Sequence, residues 1–146
     1  MRVAFVLSIL VPSAAMLSAQ TPPPLFTEVA KGNLSDQQDG KQVTARTASE
    51  WETLWKAHAP TVKMPSVDFT KNMVVGIFLG TKPSDGYQVE IVGVRTQEKE
   101  LIVEYVQRTP GRGTMAAQIL TEPYHLVAVA KHPGPVRFLH VPEIKK

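Results

Sequence analysis

Polar residues nearly vanish between positions 72 and 80, in the run NMVVGIFLG. A run that short and that apolar predicts a central strand buried on both faces. The pattern changes in GYQVEIVGV, residues 86–94, where Tyr87, Val89 and Ile91 fall on one face and Gln88 and Glu90 on the other. That alternation predicts a strand with one wet side. The polar stretch TQEKE, 96–100, reads as a turn into a further strand, LIVEYVQR, 101–108. A Gly-rich loop, TPGRGTM, 109–115, follows. PYHLVAVAK, 123–131, and VRFLHV, 136–141, predict a closing hairpin around the turn HPGP, 132–135. Upstream, PLFTEVAKGN predicts a first strand ending at Gly32. NLSDQQDG, 33–40, is a polar loop, and KQVTAR, 41–46, is a short strand.

One segment has helical period. Trp51, Leu54, Trp55 and His58 recur at the three- and four-residue spacing of a single helix face. Thr47 can cap its start with Glu50 three residues on, and Pro60 ends it. The stripe docks the helix on a sheet, because large aromatics dominate burial; the alternative use of Trp51 or Trp55 is as a stacking surface for a small molecule or glycan. The expected fold is mainly β (α+β): an antiparallel sheet or sandwich of about six to seven strands with one packed helix near residues 48–59.

Composition narrows the class. With 146 residues, 43% of them hydrophobic, the chain can bury the core of one ordinary domain. Arg2, the apolar run VAFVLSILV and the small residues of AAMLSAQ read as a signal peptide, residues 1–19, cut near Ala19. Residues 20–26 form a Pro-rich leader, and 27–146 form the domain. This predicts a periplasmic or secreted protein with no stable membrane anchor after cleavage. Losing Arg2 lowers the net charge of +3 by one, and the remaining basic residues are interspersed with acidic ones. A nucleic-acid partner is therefore not expected, since it needs clustered basic side chains. With no cysteine, the chain has no disulfide, thiolate metal site or cysteine nucleophile.

The residues offer little chemistry. His58, His125, His132 and His140 match no metal-ligand spacing, although the last three gather around one predicted hairpin. There is no G-x-S-x-G elbow, and PGRG, 110–113, leads into no helix. The expectation is a non-enzyme without cofactor or metal. Three loops remain. The first is Lys82, Pro83, Ser84, Asp85, Gly86 and Tyr87; the second holds Gly111, Arg112 and Gly113; the third holds Pro123 and Tyr124. Pro pre-shapes a backbone, and Tyr offers a large contact area at low rotamer cost. These residues are the candidate partner-binding surface. Gly86 is expected at positive φ, and the first loop is expected to close a hairpin.

Their order is familiar. Trp51 and Trp55 on a helix, Asp68-Phe69 before the central strand, Gly80, Pro83 and Gly86-Tyr87 after it, then Thr121, Pro123 and Tyr124 resemble the PrcB C-terminal domain family over about residues 27–141. The resemblance implies a non-catalytic component of an exported protease complex that stabilises the protease. It brings no catalytic residues. Many members resemble lipoproteins, whereas this chain has no cysteine to lipidate. A weaker similarity is to chagasin-like inhibitors of cysteine proteases, which present three such loops from one end of a sandwich. Here Glu122 stands where their third loop carries a basic residue. The expected function is binding or stabilising a protein partner, an exported protease being favoured; protease inhibition and small-molecule or glycan binding are the alternatives.

Overall fold

The computed structural model describes residues 25–143. The signal peptide expected at 1–19 and residues 20–24 of the leader expected at 20–26 lie outside them, while Phe26, the last leader residue, already belongs to the first strand. Seven strands and one helix follow in the order β1 (Phe26–Gly32), β2 (Lys41–Ala45), α1 (Ala48–His58), β3 (Asn72–Phe78), β4 (Gln88–Gln97), β5 (Glu100–Arg108), β6 (Tyr124–Ala130) and β7 (Val136–His140). Four strands form an antiparallel sheet in the order β1-β6-β3-β2. The other three form a second sheet, β4-β5-β7.

Strand β3 builds two cores because its side chains alternate. Met73, Val75 and Ile77 meet Val89, Ile91 and Val94 of β4 and Leu101 and Val103 of β5, filling the space between the sheets. Val74 and Phe78 point the other way, toward Trp51 and Trp55 of α1. The protein thus has three layers, helix on sheet on sheet, and the near-continuous apolar run of β3 follows from its central place. Gly76 belongs to the helix-facing set, and Leu126 of β6 lies over it: a Cβ there would run into the Leu126 Cδ2 and approach the His125 carbonyl to 3.0 Å.

The helix begins as expected. Thr47 is extended at φ −130, and its Oγ1 accepts from the Glu50 amide at 3.2 Å. The Glu50 carboxylate returns to the Arg46 amide at 2.7 Å, one residue before the cap. Both tryptophans are buried, at 1% and 5% exposure. Their indole N–H groups donate to Pro65 and Val62 carbonyls at 3.1 and 2.8 Å, so the segment after the helix wraps over them. With the rings covered and their polar tips paired, the stacking-surface reading of Trp51 and Trp55 is withdrawn.

Three connections differ from expectation. β3 and β4 lie in different sheets, so residues 79–87 form a crossing between sheets and not a hairpin loop. β6 and β7 form no hairpin either. Both edges of β6 are occupied, by β1 and β3, so β7 crosses to the second sheet and pairs in parallel with β5. That parallel pair also departs from the expected all-antiparallel sheet. Arg46 holds the crossing: its guanidinium donates to the His132 and Gly134 carbonyls, the second at 2.8 Å. The polar turn is shorter than expected, since β4 runs to Gln97 and Glu98 alone takes the left-handed conformation, at φ 56.

Candidate functional site

At one end of the sandwich, the crossing 79–87 and the connection 109–123 are tied to each other. Lys82 N–H donates to the Thr121 carbonyl at 2.7 Å, and Thr121 N–H returns to the Lys82 carbonyl at 3.0 Å. The hydroxyl of Thr121, a residue 1% exposed, donates to the Ser84 carbonyl at 2.9 Å. Asp85 N–H donates to the Ala117 carbonyl at 2.9 Å. These bonds satisfy backbone groups that no named strand reaches, those of buried Ser84 and Thr121 among them. They also fix the two loops as one unit.

Gly86 lies at φ +92, as expected, and its open α-carbon admits Pro110: an added Cβ would sit 3.0 Å from the Pro110 Cγ. The first loop therefore rests on the start of the second. The Asp85 carboxylate accepts from the Gly86 amide at 2.9 Å, shaping the turn. Lys82 Nζ stands 5.7 Å from the centre of the Tyr87 ring, within cation–π range. Tyr87, Pro110, Thr114 and Met115 border an open concavity of about 660 Å³.

The predicted site residues divide. Pro83, Asp85, Gly86, Gly111, Arg112 and Gly113 are exposed on this end, with Lys82 and Tyr87 half-buried beside them. Ser84 and Pro123 are buried, so they support the surface from beneath. Tyr124 turns away to the other core. Its ring meets His58 edge-on at 4.2 Å and stacks on Phe78 at 6.0 Å. The first two loops meet, and the third contributes Thr121 through its backbone instead of the aromatic expected of it. Two exposed apolar residues escaped the sequence reading, Ile119 at 56% and Leu120 at 66% exposure, in the stretch that follows Met115 at 101%. Met115 closed the Gly-rich loop in that reading, but residues 116–120 were passed over because they show no strand or helix period. The available signal was an uncharged, apolar stretch, TMAAQIL, between two strands.

The buried titratable groups lie elsewhere. His58 ends α1 with its Nδ1 2.7 Å from the Ser35 Oγ. Ser35 Oγ also accepts the Gln37 amide at 3.0 Å, so one hydroxyl links the loop to the imidazole. Its Nε2 has no hydrogen-bond partner among the described residues and faces aromatic rings. A Ser–His pair with no carboxylate on the far nitrogen lacks the group that orients a general base, and this pair ties the 33–40 loop to the helix end. His125 of β6 accepts the Ile91 amide of β4 at 2.8 Å on Nδ1, joining the two sheets where β4 bulges between Ile91 and Gly93. Burial lowers the pKa of both histidines; nearby Asp36 partly opposes this at His58. At His125, Lys31 adds to the lowering, and Glu28 and Glu90 oppose it. Among the described residues, no three His, Asp or Glu side chains gather to hold a metal ion.

A second tie joins the sheets in the open. Glu90 accepts from Arg108 at 2.9 Å and lies 3.7 Å from Lys31, and Arg108 also reaches Glu143 at 2.6 Å. The Arg108 hydrogen bond chiefly holds the Glu90 carboxyl below its ordinary range.

Comparison with known proteins adds one match. A family model described as PrcB C-terminal covers residues 73–130. That span runs from β3 to the end of β6 and includes both tied loops. No curated protein and no solved structure matches the chain.

Proposed function

Since residues 73–130 match the PrcB C-terminal family model, we propose that this chain is a non-catalytic exported domain that binds and stabilises a partner protein, an exported protease being the favoured class. The observation that carries this reading is the loop end. Two loops braced by the Lys82–Thr121 bridge present exposed Met115, Ile119 and Leu120, and Met115 borders the same concavity as Tyr87. Bracing lowers the ordering cost of binding, and exposed apolar side chains gathered on one segment are a usual mark of a protein contact. Export rests on the apolar run and small residues of positions 1–19.

The test is a variant carrying Lys82→Ala, Asp85→Ala and Met115→Glu. It should melt close to the parent chain, because Asp85 and Met115 are exposed and half-buried Lys82 gives up only its contact with the Tyr87 ring. Purified alongside the co-expressed protease, it should fail to co-purify with it or to lengthen its lifetime. Equal protection by parent and variant would move the contact off this end.

Inhibition in the chagasin manner is the second reading, favoured by the meeting of the first two loops. It lacks the aromatic third loop, because Tyr124 packs beneath the helix. A panel of cysteine proteases titrated with the chain separates the two readings.

A further inference from the structure

The four-stranded sheet ends on β2, which pairs only with β3. Strand β3 turns its odd-numbered residues to β6. The Lys71 carbonyl accepts the Lys131 amide at 3.0 Å, the Leu79 amide donates to the Pro123 carbonyl at 2.9 Å, and the register between them runs without a shift. The even-numbered Val74, Gly76 and Phe78 therefore bond β2, opposite Ala45, Val43 and Lys41. That leaves the N–H and C=O groups of Gln42 and Thr44 on the open edge, with no main-chain partner among the described residues. The next outward amide, that of Arg46, is taken by the Glu50 carboxylate at 2.7 Å. The edge strands β1 and β4 each carry a bulge, which blunts an edge, whereas β2 has neither bulge nor proline. On the helix side of the edge, a concavity of about 450 Å³ separates β2 from α1. Val43, Leu54 and Ala57 line it; Lys41 stands where β2 begins, and Glu50 stands beside its far end.

We propose that a second copy of this chain docks on this edge, β2 antiparallel to β2 across a two-fold axis at Val43, so that the two sheets become one. The strand is its own complement. In this register Gln42 faces Thr44 of the second copy, the pair exchanges both N–H···O bonds, and the axis makes the same pair again. Val43 meets its own copy on the helix side, where the two concavities join. Charge agrees with this register. Lys41 of each copy comes opposite Ala45 of the other, beside Glu50. A parallel pairing would instead set Lys41 against Lys41, and like charges oppose that. A foreign extended peptide would find the same main-chain groups, but one cation and one anion at the two ends of the groove match the charges that this edge itself carries. Each copy offers one short strand and one shallow groove, so the interface is small and the dimer dissociates readily. None of these residues belongs to the loop end, so dimerisation stands or falls apart from partner binding there.

Sedimentation of the purified chain between about 1 and about 500 µM should show monomer giving way to dimer. In hydrogen exchange, the Gln42 and Thr44 amides should be slowed only in the dimer. Lys41→Glu puts a second carboxylate beside Glu50 of the other copy, and Glu50→Lys puts a second ammonium beside Lys41. Each alone should weaken dimerisation about tenfold. Mixed, the two variants bear opposite charges at both contacts, and their heterodimer should be about tenfold tighter than either variant alone. Glu50→Lys gives up the bond to the Arg46 amide, so circular dichroism checks its helix. If that helix is lost, exposed Lys41→Glu decides by its own dissociation constant. A chain monomeric throughout, undiminished dimerisation of Lys41→Glu, fast exchange of the Gln42 and Thr44 amides in the dimer, or a mixture of folded variants no tighter than its components would overturn the pairing. So would a monomeric chain in which a co-expressed protease protects those two amides, which would give the edge to a foreign strand.

Discussion

Trp55 shows how one side chain carries a layer. It is buried at 5% exposure, sits 5.4 Å from Trp51 and 5.0 Å from His58, and bonds a carbonyl through its indole. Trp55→Ala should cost about 3–5 kcal/mol in chemical denaturation, the range for truncating a buried aromatic. His58 and His125 make stability depend on acidity. Burial holds each imidazole neutral, so its folded pKa lies below the ordinary 6.5 and the unfolded chain takes up protons first. Their contribution is whole above about pH 6.5 and is lost as pH falls below it toward the folded values. The melting temperature should drop between about pH 7 and about pH 5. In His58→Phe, whose ring suits the same aromatic cluster, the drop should be shallower; equal slopes would show that His58 does not titrate against folding.

Between elements, small residues decide how closely strands and loops approach. Gly76→Ala would push a methyl group into Leu126 across the β3–β6 pair. Overpacking of this kind costs about 1–3 kcal/mol, read from the shift in denaturation midpoint. Gly86→Val combines positive φ with a clash on Pro110 and should cost a similar amount, about 1–3 kcal/mol, while loosening the loop end. The extent of most strands and of the helix was legible because hydrophobic period and capping residues are local. Strand partners were not. The closing hairpin expected at 132–135 rested on a good turn sequence, but the free edge it needed was occupied by β1 and β3.

For the molecule as a whole, the loop end is the surface that can change without unfolding the rest. Lys82→Ala with Asp85→Ala should leave stability within about 1 kcal/mol, as surface changes usually do, and calorimetry checks it. Ser84→Ala belongs to a different class, because that residue is buried and its hydroxyl donates to the Asp85 carbonyl at 3.1 Å. Across the sandwich, His125–Ile91 inside and Lys31–Glu90–Arg108 outside hold the sheets together, so each weakens as acid protonates its imidazole or carboxylate. The Glu90 share is present above the ordinary carboxylate range and is lost as pH falls through its lowered value. Added salt should weaken the exposed tie and leave the buried one.

The sequence by itself determined the layers' ingredients: a doubly buried β3, an amphipathic α1 with Thr47 at its cap, and a glycine at 86 where the chain turns through positive φ. These are decided within a few residues, by side-chain alternation, helical period and backbone sterics. Tertiary structure alone decided which strands share a sheet, that Tyr124 faces the helix while Thr121 braces the loops, and that the outer edge of β2 stands without a partner strand. Those outcomes depend on which edges and faces remain free once distant segments have packed, and a local pattern holds no record of that competition.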